Sequence, residues 1–345
     1  MVKSVFLIFF VCLAFSTAAS AAGPLFDDDS LISMQLIGDF SNLLNEKDKE
    51  KSYPAKLIYS TETGPVEVPV QLQVRGNARL EHCSVPGLRV IFPKSGVEGL
   101  FSDQRKLKLV TQCRQKSSQY EQYLLQEYLI YRMYAQLTEY SFKSRLARVD
   151  FQDSRKKSRQ WSNFAFFIED KKRMATRLGA TVVEKPRVKR SQLAPKETNL
   201  VSVFQYMIGN TDYSMLKGEG EEACCHNLRL LDKGEGYIPV PYDFDFAGLI
   251  NPGYAAPAAN LGIKKVTQRL YRGFCGGNNH LPDNLALIRT NKSMLYAIID
   301  DGKVNDRTAK KMHRYLDGFY KTIDDPKRLD KNIAQKCRPK PQPKK

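Results

Sequence analysis

The chain has 345 residues, 42% of them hydrophobic, enough for one two-lobed domain or two modest domains around a sizeable core. Its 54 Lys and Arg against 37 Asp and Glu leave a net charge of +17, with cations concentrated in "KKRMATRLGATVVEKPRVKR" and the tail "KCRPKPQPKK". Such an excess points to an anionic partner, a nucleotide, lipid surface or envelope polymer, while the lack of a base-reading motif disfavours nucleic acid.

The opening "MVKSVFLIFFVCLAFSTAASAAGP" carries a cation at Lys3, an apolar run from Val5 to Phe15 and the small-residue box Ala19-Ser20-Ala21. That order predicts a secretory signal over residues 1–21 and export, periplasmic or extracellular, because the run is too short and wrongly flanked for a retained span. No later apolar run is long enough to cross a bilayer. Removing Lys3 with the signal takes the charge from +17 to +16 and leaves Cys83, Cys113, Cys224, Cys225, Cys275 and Cys337. An even number of cysteines in an exported chain favours disulfides, with connectivity open. Cys224-Cys225-His226 lacks the C-x-x-C or paired-His spacing of a metal site.

After a short acidic start, "AKLIYSTETGPVEVPVQLQVRGNARL" reads as two strands around the turn "TETGP", "GLRVIFP" as a third and "RKLKLVTQ" as a fourth. A helix is predicted from about Ser118 to Leu137, and "SRLARVDFQD" and "WSNFAFFIED" add two strands. The basic stretch from Lys171 to Glu197 reads as a connection. Beyond it come the helix "TNLVSVFQYMIGN" with Thr198 as N-cap, the short strands "HNLRLL" and "GYIPVPYDF", and a helical last third. This order predicts an α+β, two-lobed protein-kinase-like fold. Its N-terminal lobe, an antiparallel sheet plus one helix, covers residues 22–170; a mainly helical lobe covers 171–330; and a basic tail covers 331–345.

Two places in this order carry costly charges. In the helix "SSQYEQYLLQEYLIYRMYAQL", Ser118 and Glu121 match an S-x-x-E capping box. Glu127, however, falls on the apolar stripe of Tyr120, Leu124, Tyr131 and Tyr134, where a carboxylate needs a cation. In "RKLKLVT", Leu107 and Leu109 share one face while Lys106, Lys108 and Val110 share the other, so a Lys108–Glu127 pair is predicted. A strand Lys paired with a helix Glu is a known way to grip ATP phosphates. The second place is "GNTDYSMLKGEGEEACCHNLRLLDKGEGYIPVPYDFDFAG", which offers Asp212, Asn227, Asp243 and Asp245. Phosphoryl transfer uses one carboxylate to orient a hydroxyl, and an amide with a second carboxylate to hold Mg²⁺.

"VRGNAR" (Arg75, Gly76, Asn77), "LFSDQRKLKLV", "FFIED", "IGNTD", "HNLRLL" and "PYDFDFAG" follow one another from about Val66 to Gly248. This series resembles the CotH-like atypical kinases, first met as spore-coat proteins. The resemblance implies a kinase-like fold that binds ATP with Mg²⁺, or Mn²⁺ in its place, and phosphorylates protein hydroxyls. It implies Asp212 as the catalytic carboxylate, and Asn227 and Asp243 as metal ligands with Asp245 as a second contact. Arg75, Lys108 and Glu127 fall on the nucleotide side, and Glu169 with Asp170 matches the hinge that meets adenine. Tyr242 and Phe244 stand where the family usually carries Trp. Two alternatives compete with the kinase reading. One is a catalytically silent binding or envelope-structural protein with a basic anion-binding surface; the other is a metal-dependent phosphoester or glycan-modifying enzyme using Asp243 and Asp245.

Overall fold

The computed structural model describes residues 24–218, 224–257 and 259–339. The signal sequence expected over residues 1–21 lies outside them, as do residues 340–345 of the basic tail.

The first half of the chain forms β1 (Ile32–Gly38), α1 (Phe40–Glu46), β2 (Tyr53–Thr61), β3 (Gly64–Arg75), α2 (Ala78–His82), β4 (Gly87–Ile91) and β5 (Lys106–Thr111). It continues with α3 (Ser118–Leu137), β6 (Ser144–Asp153) and β7 (Gln160–Ile168). The seven strands close into a mixed barrel in the order β1-β2-β3-β4-β5-β7-β6. This overturns the expected kinase-like N-terminal antiparallel sheet and, with it, the two-lobed kinase-like fold.

The physical reason is β1, which the acidic residues ahead of it had hidden. Its Ile32, Met34 and Leu36 alternate inward and are buried. Leu36 lies opposite Leu57 of β2 on one side and Phe151 of β6 on the other, antiparallel to the first and parallel to the second. Burying those three side chains contributes roughly 1.5–3 kcal/mol each, and the same strand pairs both open edges of the sheet. A six-stranded sheet with two free edges therefore becomes a closed barrel. Its interior is filled by residues such as Leu72, Leu88, Leu107, Leu109 and Phe167.

The remainder comprises α4 (Lys171–Arg177), β8 (Thr181–Val182), α5 (Pro195–Ile208), β9 (Leu228–Asp232), β10 (Tyr237–Pro241), α6 (Leu281–Thr290), α7 (Lys292–Ile299) and α8 (Asp306–Ile323). The stretch read as a bare connection thus holds a helix and an edge strand, and β8 extends the β9–β10 hairpin into a three-stranded sheet. Pro239 and Pro241 are tolerated because β10 is an edge strand. Pro195 at N1 moves the start of α5 ahead of Thr198, which lies buried inside the helix, with Ala194 at the N-cap. The expected capping box on α3 also does not form. Ser117 is the N-cap, without a side-chain bond, and Glu121 faces Arg148 instead.

A second core joins the outer wall of the barrel to these helices. Val110 of β5 and Phe166 and Ile168 of β7 pack with Tyr131 of α3, Phe204 of α5 and Phe244. α3 is consequently buried over most of its circumference. The cysteines pair as Cys83–Cys113, Cys224–Cys225 and Cys275–Cys337. Among the described residues no helix is long and apolar enough to cross a membrane.

Candidate functional site

Strands of the barrel wall, α2, the β9–β10 hairpin and the loop after α5 deliver polar side chains to one cavity of about 540 Å³. On β5, the two-residue period turns Leu107 and Leu109 into the barrel and leaves Lys108 and Val110 on the outer face. β3 ends at Arg75, and Gly76, at φ 96°, turns the chain into α2 and its Arg79. The Cys83–Cys113 disulfide fastens the end of α2 beside the end of β5.

The hairpin supplies the acids. Asn227 precedes β9 and Asp243 follows β10, and the Tyr242 N–H donates to the Asn227 carbonyl at 3.0 Å, so the two ends stay together. Both Asn227 and Asp243 are left-handed, at φ 53° and 63°. Asn and Asp tolerate that region better than other side chains, yet each such residue costs ~1 kcal/mol, and such strain gathers at functional sites. The Asp243 N–H donates to the Tyr131 hydroxyl at 2.9 Å, which fixes this corner to α3.

Asp212 arrives from the loop after α5. Gly209, left-handed at φ 66°, ends that helix. Asn227 Nδ2 donates to the Asp212 carbonyl at 2.8 Å and to its Oδ2 at 3.0 Å, while His226 Nε2 lies 2.9 Å from Oδ1. The cavity therefore unites Arg75, Lys108, Asp212, Asn227, Asp243 and Asp245, six of the eight residues singled out in the sequence.

The other two are placed differently. Glu127 is buried just behind the cavity, but the cation it meets is Arg79, not Lys108. Arg79 Nη2 donates to Glu127 at 3.0 Å, Nε to Asp245 at 3.1 Å, and Nη1 to the Thr111 carbonyl at 3.2 Å. One guanidinium thus serves two buried carboxylates, and the predicted Lys108–Glu127 pair is replaced. Glu169 does not line the cavity. Arg177 holds it through Nε at 3.0 Å and Nη2 at 2.8 Å, and it accepts the Lys143 N–H at 3.1 Å. Those bonds turn its carboxylate away from the cavity.

Charge divides the cavity into two groups. Lys108 sits 3.9 Å from the centre of the Tyr242 ring, which Arg229 also covers at 4.8 Å. Burial, reinforced by Arg75, Arg229 and Arg89, holds the Lys108 pKa well below its ordinary value against the pull of Asp243. On the acidic side, burial pushes Glu127 up to about 8 and Asp245 up to about 6, in both cases against the pull of Arg79 and with Asp243 adding repulsion. Burial also opposes the Arg79 charge. Glu127 and Asp245 outweigh it and hold that guanidinium well above its usual pKa. Cations crowd around Lys108, carboxylates gather around Arg79, and Asp243 acts on both groups.

Among the described residues no group of three or more His, Cys, Asp and Glu forms a metal cage. Asp245 is committed to Arg79, whereas the Asp243 carboxylate has no hydrogen-bond or ion-pair partner among the described residues. One carboxylate and one amide fit a Mg²⁺ ion that brings phosphate oxygens with it, the usual arrangement for this cation. Arg79, His226 and Arg229 were missed in the sequence. A signal for Arg79 existed, since Glu127 demanded a cation and "RGNAR" carries two. Comparison with protein-family models finds no matching family, and comparison with curated proteins and with solved structures finds no match.

Proposed function

We propose that the cavity binds a nucleoside triphosphate with Mg²⁺ and that the protein transfers the terminal phosphoryl group to a protein hydroxyl. The reading is that of an exported CotH-like protein kinase built on a closed barrel. The observation that carries it is the split cavity, in which Lys108, Arg75, Arg89 and Arg229 stand against Asp212 and Asp243. A bare anion suits only the first group and a bare cation only the second. A metal–polyphosphate suits both, and the volume is ample for a nucleotide. The order of motifs from Val66 to Gly248 supports the same reading.

In this mechanism Lys108, Arg75 and Arg229 bind the phosphates, and docking of that negative charge relieves their mutual repulsion. Asn227 and Asp243 would hold Mg²⁺, which neutralises phosphate charge when bound. Asp212, oriented by His226 and Asn227, accepts the hydrogen bond of the acceptor hydroxyl and then its proton. The hydroxyl oxygen forms its bond to the γ-phosphorus as the bond to the β–γ bridging oxygen breaks, and the nucleoside diphosphate leaves. The Arg79 ion pairs keep Asp245 and Glu127 in place behind this site.

A second reading, ligand capture without turnover, is favoured by one observation: both Asp212 oxygens already have partners in His226 and Asn227. Two measurements separate the readings. ATP with Mg²⁺ should raise the melting temperature of the wild type, and Asp243→Ala should abolish the rise. Labelled phosphate should pass to protein in the wild type but not in Asp212→Asn, which keeps the thermal shift. A shift without transfer selects the second reading, and no shift with Mg²⁺ or Mn²⁺ overturns both.

A further inference from the structure

Beside the first cavity lies a second, of about 280 Å³, lined in part by Gln126, Gly248, Asn251, Thr308, Lys311 and Tyr315. The segment that carries Asp243 and Asp245 continues directly into its wall at Gly248. A half-buried aromatic saddle joins the two cavities. Phe246, in the first, lies 5.9 Å from Tyr254, and Tyr254 lies 6.5 Å from Tyr123, in the second. The Tyr254 hydroxyl donates to Asp245 at 3.4 Å, which fixes the saddle to the acidic side of the site.

The far rim is cationic. On α8, Arg307, Lys311 and Arg314 are exposed at i, i+4 and i+7, so they form one row along the helix. Lys264 and Lys265 are exposed on the loop whose Val266 and Thr267 pack over Gly248. None of these five cations has an ion-pair partner among the described residues. Asp317, further along α8, takes the Tyr296 hydroxyl.

We infer that this second cavity and its rim dock an acidic polypeptide, the acceptor of the phosphoryl transfer. Its hydroxyl-bearing residue occupies the first cavity, its chain crosses the Phe246–Tyr254–Tyr123 saddle, and its acidic flank meets Lys311 and the neighbouring cations. Side-chain amides at Gln119 and Asn251 provide both donors and acceptors for main-chain groups, while the Gln126 amide is already bonded to the Leu249 carbonyl at 3.1 Å and shapes the wall. The rim charges supply the complementarity that selects an acidic flank. The assignment of the hydroxyl residue rests on the phosphoryl-transfer reading; the docking of the acidic flank does not.

The test is fluorescence polarisation without nucleotide, at low ionic strength. The probe is a labelled peptide about 12 residues long, roughly 40 Å when extended, with one Ser followed by a run of Glu. The same peptide with Gln for Glu is the control. The Glu peptide should bind at least about tenfold more tightly than the Gln peptide, and Arg307→Glu with Lys311→Glu should remove that preference. Both substituted residues are exposed, so folding and the ATP–Mg²⁺ thermal shift should be unchanged. Equal affinity for the two peptides, an unaltered preference in the double variant, or tighter binding of polygalacturonate than of the Glu peptide would overturn the docking surface. Selective peptide binding without any nucleotide shift supports the docking surface while refuting the transfer reading.

Discussion

Replacing Arg79 by Met tests the electrostatic core of the site. The guanidinium bonds two carboxylates, at 3.0 and 3.1 Å, and Glu127 is only 1% exposed. Removing one partner of a buried pair costs about 3–5 kcal/mol, because the remaining charge is left without compensation. Protonation offers a partial escape, so the cost should depend on pH. In the wild type the folded-state pKa of Glu127, about 8, lies above its ordinary 4.5. The folded protein therefore binds more protons than the unfolded chain across that window. The stability contributed by protonated Glu127 is complete below about 4.5 and declines as the pH rises towards 8. Asp245, pushed up to about 6, acts in the same sense over a lower window. Without Arg79 both groups should hold their protons still more strongly, which steepens the decline. Urea unfolding, followed through the single tryptophan, Trp161, which stacks on Phe151 in the barrel, measures this directly. Arg79→Met should lose about 3–5 kcal/mol at pH 8 and no more than about 2 kcal/mol at pH 5. Adding Glu127→Gln should restore about 2 kcal/mol at pH 8, as expected for residues in one network. A loss under about 1 kcal/mol at pH 8, or the same loss at both pH values, would show that Arg79 does not compensate these two carboxylates.

Lys108→Met should abolish the nucleotide-dependent thermal shift while leaving the ligand-free protein as stable or more so. The lysine is desolvated and crowded by three arginines, so a fall in unfolding free energy at pH 7 would contradict this account. Its folded-state pKa is depressed, so its contribution to stability rises with pH towards 10.5, and the variant should lack that slope in urea titrations across alkaline pH. Replacing Cys83 and Cys113 by Ser opens a link spanning 30 residues and should cost about 3–4 kcal/mol. Because that link holds α2 beside β5, nucleotide affinity should weaken too, a point titration calorimetry would check. Gly209→Ala should reduce soluble yield or lower the melting temperature sharply, since the added methyl group meets the Tyr315 hydroxyl at a residue already at φ 66°. An unchanged melting temperature would show that α5 ends in another way.

The strands from Tyr53 to Ile168 and the long helix α3 could be read in the sequence, because alternation and helical period are local properties. Six of the eight site residues converge for a related reason. Acids, an amide and a lysine placed on otherwise apolar elements are costly unless a shared site uses them. What could not be read is which charge answers which. Lys108 was the nearer cation in the chain to Glu127, but α2 swings Arg79 inward, and its planar fork satisfies Glu127, Asp245 and the Thr111 carbonyl together. Glu169 likewise read as a ligand-facing acid, but Arg177, at the far end of the helix beyond it, bonds both oxygens.

The sequence alone determined the parts: a strand-rich first half, a helical second half, six cysteines suited to disulfides with no partners assigned, and a polar set spread from Arg75 to Asp245. Tertiary structure decided the closure. β1 is seven residues whose value lies in pairing with β2 and with β6, Ile32 lying opposite Ala147, and no local pattern records a partner at that distance. Closure turned an expected open sheet into a barrel. The outer wall of that barrel, pressed against the α3–α5 core, is what brings Lys108 from one half of the chain within reach of Asp243 from the other.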